Sequence, residues 1–184
     1  MGRLILVTGG SRSGKSQLAE QKATILGGDD VLYMATGIAT DDDMEERIRL
    51  HKMRRNPNWG TFEGYRDLAS EVSETSYGTI LLDCITVLIT NFLMEEDRDY
   101  EELSKAEIAY MEEDIINEIQ SLIHAVKEQN KNLIIVTNEV GMCVVSPYRM
   151  GRIFSDITGK VNQILGSVCD EVHLSISGIP LQIK

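Results

Sequence analysis

The stretch Gly9-Gly10-Ser11-Arg12-Ser13-Gly14-Lys15-Ser16 decides how this chain folds. It satisfies G-x-x-x-x-G-K-[ST] without a mismatch. Leu4-Ile5-Leu6-Val7, just before it, has the length and branching of a buried strand. Just after it, Lys15 to Leu26 carries Leu18, Ala19, Ala23 and Ile25-Leu26 at roughly helical spacing. Strand, glycine-rich turn and helix is the geometry that a phosphate cradle needs. Glycine at 9 and 14 admits positive φ, so successive N–H groups turn inward as an anion nest at a helix N-terminus. Lys15 then reaches the β- and γ-phosphates, and the Ser16 hydroxyl is placed to ligate Mg²⁺. A Gly/Ser-rich turn that fits by chance is the bland alternative, and the flanking strand and helix argue against it. The motif predicts a nucleoside triphosphate site.

At 184 residues the chain is expected to be one domain spanning residues 1–184. With 42% hydrophobic and 26% charged residues, it has the make-up of a soluble globular protein. A net charge of −11 argues against a broad nucleic-acid footprint, which needs a basic stripe. No apolar run approaches the ~18 residues of a membrane span, and the start of the chain passes directly into the first strand, leaving no room for a signal peptide. Cys84, Cys143 and Cys169 are far apart and show no C-x-x-C spacing, so neither a zinc site nor a disulfide framework is expected. A reducing cytoplasm is the expected setting.

Val31-Leu32-Tyr33-Met34-Ala35-Thr36 reads as a second buried strand. A helix capped by Thr40 or one of Asp41, Asp42 and Asp43 follows to about Arg55, with Met44, Ile48 and His51 on one face and Pro57 ending it. Residues 56–77 read as irregular, holding Trp59 and Glu63, then a short helix through Leu68 and Val72. Thr79-Ile80-Leu81-Leu82-Asp83 is a buried strand closing on a carboxylate, the arrangement in which an aspartate beside the P-loop holds the metal or its water. An apolar helix from Ile85 to Met94 and the solvated acidic turn at residues 95–99 come next. A long amphipathic helix then buries Ile108, Met111, Ile115, Ile119, Leu122 and Val126, with His124 on its polar side. Leu133-Ile134-Ile135-Val136 forms a fourth strand, and Asn138 to Met142 lies where parallel sheets present functional groups. Met150, Ile153, Ile157, Val161, Ile164 and Val168 mark the last helix. In the strand that follows, Val172, Leu174 and Ile176 are expected inward and His173 outward. The turn Ser177-Gly178 leads to an antiparallel edge strand at Leu181 to Ile183. The order predicts an α/β fold: a three-layer P-loop domain of RecA-like type, its sheet mainly parallel with a C-terminal antiparallel edge strand.

His51 is followed by Lys52, Arg54 and Arg55. Two readings stand: an imidazole among cations that neutralise a triphosphate, or a residue completing the Met44–Ile48 core face while the bases serve a helix C-terminus.

Read together, the motifs resemble the bifunctional adenosylcobinamide kinase/adenosylcobinamide-phosphate guanylyltransferase family of cobalamin biosynthesis. The resemblance rests on Thr8 to Ser16, Leu32-Tyr33-Met34-Ala35-Thr36, Asp42-Asp43-Met44, Arg47-Ile48, His51, Arg55, Trp59, Thr61 and Glu63. It continues through Leu82-Asp83-Cys84-Ile85-Thr86, Asn138-Glu139-Val140-Gly141, Gly151-Arg152-Ile153-Phe154, Asp156, Gly159, Asn162-Gln163, Asp170-Glu171-Val172 and Ser177-Gly178. Two departures stand out: Asn56 where the family usually has proline, and Cys143 where a small glycine is usual. The resemblance implies phosphorylation of the aminopropanol hydroxyl of adenosylcobinamide by ATP or GTP. It further implies transfer of GMP from GTP to that phosphate, with release of pyrophosphate.

By the same resemblance His51 is the guanylylated histidine; Lys15, which the motif places on the phosphates, is the other expected catalytic residue and holds pyrophosphate as it leaves. Nucleotide contacts fall on Gly9, Gly10, Ser11, Arg12, Ser13, Gly14, Lys15, Ser16, Ala35, Thr36, Gly37, Lys52, Met53, Arg54, Arg55, Glu63 and Asp83. Mg²⁺ falls to Ser16 and Asp83, and the assembly resembles a homotrimer. The residue types suit the chemistry: a neutral imidazole attacks the α-phosphorus while pyrophosphate leaves from the P-loop. The neighbouring cations favour the neutral ring and a helix C-terminus opposes it. Glu63 either accepts from the N1 and N2 donors of guanine or is an exposed strand-edge acid. Two rivals remain at this stage: a kinase of another small alcohol without nucleotidyl transfer, and a nucleotide-switch ATPase. A member retaining only guanylyl transfer is a third.

Overall fold

The computed structural model describes residues 2–37, 49 and 55–184. Its elements, in chain order, are β1 (Leu4–Gly9), α1 (Lys15–Gly27), β2 (Val31–Ala35), β3 (Gly60–Glu63), α2 (Leu68–Glu74) and β4 (Thr79–Asp83). Then come α3 (Ile85–Met94), α4 (Lys105–Glu128), β5 (Asn132–Val136), α5 (Arg149–Val168), β6 (Glu171–Ile176) and β7 (Ile179–Gln182). The helix expected between residue 40 and Arg55 falls largely outside the described residues, as do His51, Lys52, Met53 and Arg54.

The seven strands form one sheet in the order β3-β2-β4-β5-β1-β6-β7. All neighbours are parallel except β6 and β7, the expected antiparallel edge pair. Because successive side chains alternate, each central strand feeds both faces. Leu4, Leu6, Leu32, Met34, Ile80, Leu82, Leu133 and Ile135 pack against α2, α3, α4 and α5. Ile5, Val7, Val31, Tyr33, Leu81, Ile134 and Val136 pack on the other face with Ala19 and Ala23 of α1. Covering both faces is why these strands read as unbroken apolar runs. Small side chains let α1 lie close to the sheet, while Ile25 points to solvent at 81% exposure. The start of α4 is fixed by a capping box: Ser104 Oγ accepts from the Glu107 N–H and the Glu107 carboxylate accepts from the Ser104 N–H. Among the described residues, no helix is long and apolar enough to cross a membrane.

Two expectations are corrected. The stretch at 60–63 is not irregular: it is a strand, pairing parallel to β2 from Leu32↔Gly60 to Ala35↔Glu63. Glycine at its start and only four residues deprive it of a periodic signal, and its pairing comes from β2. His173 does not point to solvent. It is 6% exposed, and Ser175 is 2% exposed, whereas Ile176 is 56% exposed. Alternation separates inside from outside only where one sheet face is wet, and α1 and its Lys22 lie over the face that His173 occupies.

Candidate active site

The phosphate loop follows β1 and runs into α1. Gly9 has φ 151° and Gly14 φ 91°, and a Cβ on Gly9 would lie 2.4 Å from the Ser175 carbonyl oxygen. Gly9 therefore disfavours other residues on both conformation and space, and Gly14 on conformation. Inside the loop, the Ser13 N–H donates to Gly10 O at 3.3 Å and Lys15 Nζ donates to the same oxygen at 2.9 Å. Lys15 is 9% exposed, so its ammonium curls beneath the loop rather than into solvent. The Glu139 N–H donates to Gly9 O, which joins the loop after β5 to the start of the cradle. Thr8 Oγ1 and Ser13 Oγ are buried without a hydrogen-bond partner among the described residues. Buried hydroxyls without partners are uncommon, and here both stand beside the anion nest.

One row of residues closes the carboxyl end of the sheet. Glu63, Ala35, Asp83, Val136 and Val7 are register partners across β3, β2, β4, β5 and β1. Because β5 separates β1 from β4, Asp83 stands about 10 Å across the sheet from Val7, and Glu63 about 10 Å further on. Tyr33, 2% exposed, donates its hydroxyl to Asp83 Oδ2 at 2.7 Å. Burial and the neighbouring Asp83 charge raise the phenol's pKa, so Tyr33 remains a donor. Arg55 lays its guanidinium over the Tyr33 ring at 3.4 Å from the centroid, and its Nε and Nη1 are buried without hydrogen-bond partners among the described residues. Burial pushes the Cys84 thiol up; Asp83 adds to the shift and Lys15 opposes it. The loop lysine and the β4 carboxylate thus act on the same thiol.

Beneath this row runs a polar network that the sequence reading missed. Thr36, fully buried, donates its hydroxyl to Cys84 O at 2.8 Å and accepts from the Cys84 N–H at 2.9 Å. Its own carbonyl accepts from Asn91 Nδ2, and its N–H donates to Asp83 O. Thr86 Oγ1 lies 3.2 Å from Cys84 Sγ and accepts from Asn138 Nδ2. Asn162 Oδ1 accepts from Thr137 Oγ1, and its Nδ2 donates to Asn138 O. The carboxyl ends of β2, β4 and β5 are therefore tied to one another and to α3 and α5. The available signal was a polar residue just past each strand end, at Thr36, Thr137 and Asn138.

Of the residues expected in the site, Gly9 through Ser16 form the cradle, and Ala35, Thr36, Gly37, Glu63 and Asp83 gather at neighbouring strand ends. Ser16 is in the first turn of α1. Its hydroxyl and the Asp83 carboxylate are hard oxygen donors of the kind Mg²⁺ takes together with substrate phosphates. Arg152, by contrast, bonds the carbonyls of Ser146 and Pro147 and ties down its own loop.

Fold and site together define a P-loop nucleotide-binding protein of the α/β class. A family model described as cobinamide kinase / cobinamide phosphate guanyltransferase matches residues 5–183, and the chain belongs to that family. Its relatives include the bifunctional adenosylcobalamin biosynthesis protein CobU of Salmonella typhimurium, 44% identical over 98% of this chain and 99% of that protein. CobU of Escherichia coli is 42% identical over the same shares. The bifunctional protein CobP of Pseudomonas aeruginosa is 34% identical over 97% of this chain and 96% of its own.

Proposed function

We propose that this protein phosphorylates adenosylcobinamide with a nucleoside triphosphate and then transfers GMP from GTP to the resulting phosphate. The observation that carries this reading is the row from Glu63 through Asp83 to the phosphate loop, in a chain matched by the family along residues 5–183. The row is about four strand spacings long, enough for a triphosphate lying across the strand ends with its base toward Glu63.

In the first step the acceptor hydroxyl attacks the γ-phosphorus and loses its proton to solvent, the bond to the β-phosphate oxygen breaks, and the nucleoside diphosphate leaves. The N–H groups of the loop and Lys15 hold the charge that shifts to the leaving oxygen. In the second step His51, as a neutral imidazole, attacks the α-phosphorus of GTP. The N–P bond forms as the bond to pyrophosphate breaks. An oxygen of the acceptor phosphate then takes GMP from the ring, which regains its neutral form. Ser16 and Asp83 would hold Mg²⁺, which would supply neutralisation of the phosphate charge. Arg55, stacked on the Tyr33 ring, is a further cation for the nucleotide. Glu63 accepts from guanine N1 and N2, a donor pair that adenine lacks.

The active species is a cytoplasmic homotrimer. The apolar residues Ile176, Ile179, Leu181 and Ile183 of the exposed β6–β7 edge support assembly. The decisive experiment incubates the protein with GTP, Mg²⁺ and adenosylcobinamide and identifies the corrinoids by mass. Adenosylcobinamide-GDP is the expected product; GTP consumption without any modified corrinoid would overturn the reading.

A further inference from the structure

The carbonyl oxygen of Ser13, in the middle of the phosphate loop, is gripped by two donors from the far end of the chain. Ser175 Oγ donates to it at 2.6 Å and the Gly178 N–H at 2.9 Å. Ser175 is 2% exposed and lies in β6, where it is the register partner of Gly9. Gly178, at φ 81°, is in the two-residue turn that joins β6 to β7. The hairpin presses on the loop at both glycines: Ser175 O faces Gly9, and Gly178 Cα would lie 3.3 Å from a Cβ on Gly14.

A trans peptide is planar, so the C=O of Ser13 and the N–H of Gly14 point in opposite directions. Holding Ser13 O against the hairpin turns the Gly14 N–H away from it, toward the concave side where a P-loop gathers donors around the phosphates. Two donors fill both lone pairs of the Ser13 carbonyl. Without them the peptide is free to rotate, because Gly14 imposes no side-chain restriction on its φ. A buried serine hydroxyl needs some acceptor in any fold. What distinguishes this one is that its acceptor belongs to the peptide whose other end is a phosphate donor.

We propose that the β6–β7 hairpin is a clasp for the phosphate loop, with Ser175 as a positioning residue that, together with the Gly178 N–H, aims the Gly14 N–H at the β-phosphate. The inference rests on the reading of Gly9 to Ser16 as a triphosphate site and is independent of the acceptor. It touches the β-phosphate alone, which makes it separable from a general structural role.

The test compares the wild-type protein with Ser175→Ala and Ser175→Thr by calorimetric titration with GTP, pyrophosphate and GMP in the presence of Mg²⁺. Ser175→Ala is expected to weaken GTP and pyrophosphate by about 5–20-fold, the value of one buried hydrogen bond, and GMP by under about 2-fold. Ser175→Thr keeps the hydroxyl on a residue suited to a strand and recovers most of the lost affinity. GTP affinity unchanged in Ser175→Ala overturns the clasp, as does an equal loss for all three ligands. Should Ser175→Ala fail to fold, amide exchange on the wild-type protein decides: the Gly178 N–H is expected to exchange more slowly once pyrophosphate is bound. An unchanged rate overturns the proposal. A wild-type protein that binds neither GTP nor pyrophosphate overturns the triphosphate reading itself, a result distinct from equal binding by variant and wild type.

Discussion

The hydroxyl of Tyr33 on β2 donates to Asp83 Oδ2 on the neighbouring β4 at 2.7 Å. One aromatic residue thus orients a carboxylate with its hydroxyl and carries the Arg55 cation on its ring. Replacing Tyr33 by Phe keeps the stacking and deletes the hydrogen bond. It is expected to lower kcat by about 5–20-fold with a smaller change in KM, and to cost about 1 kcal/mol of stability. Steady-state kinetics and urea denaturation check the two parts. A wild-type kcat would mean that the carboxylate is oriented by other contacts.

Gly9→Ala tests the opening of the phosphate loop. The added Cβ meets the Ser175 carbonyl in a φ region that alanine rarely adopts. We expect a loss of about 2–4 kcal/mol in stability and loss of nucleotide binding, measured by thermal unfolding with and without GTP. A variant still stabilised by GTP to the wild-type extent would contradict this.

Glu171 makes stability depend on acid. Its carboxylate accepts from Arg3, from Lys22 Nζ at 3.0 Å and from His173 Nε2 at 2.9 Å. The His173 and Lys22 bonds hold its pKa down at about 2, against an ordinary value of 4.5. A depressed acid contributes stability that is fully present above the unfolded pKa and disappears as pH falls through the folded one. Glu171→Gln is therefore expected to cost about 1–2 kcal/mol near neutral pH and almost nothing at about pH 2. Denaturation midpoints of both proteins across that range would show it. A cost independent of pH would mean that the loss comes from packing.

His51→Ala separates the two reactions. GMP transfer should fall by at least about 10³-fold, while phosphorylation of adenosylcobinamide stays within about 5-fold. Label from α-³²P-GTP should remain on the wild-type protein in base, leave it in acid, and be absent from the variant. GMP transfer persisting in the variant would rule out the covalent route.

How much of this was readable from residues alone follows from where each interaction sits along the chain. The phosphate loop, the strand ending at Asp83 and the amphipathic face of α4 are local patterns, and each stands where its spacing placed it. β3 was invisible because Gly60-Thr61-Phe62-Glu63 has too few residues for alternation to show and is a strand only through its pairing with β2. His173 misled because a period of two says which residues share a face but not whether a helix covers it. The exchange between Thr36 and Cys84 spans 48 residues, and the bond from Ser175 to Ser13 spans 162. Contacts of that reach leave no periodic trace in one sequence, so the scaffold beneath the site emerged only from the fold.

The position of β1 has a consequence for how the protein is made. The strand that carries the phosphate loop leaves the ribosome before the other six strands of the sheet, yet its neighbours, β5 and β6, are made only from Asn132 onward. Until those segments emerge, an apolar strand with two open edges must wait, in a topology whose long-range parallel pairing is slow to form. Nascent chains halted before Glu171 should therefore need shielding by a chaperone, and nucleotide can first be captured only after β6 has emerged.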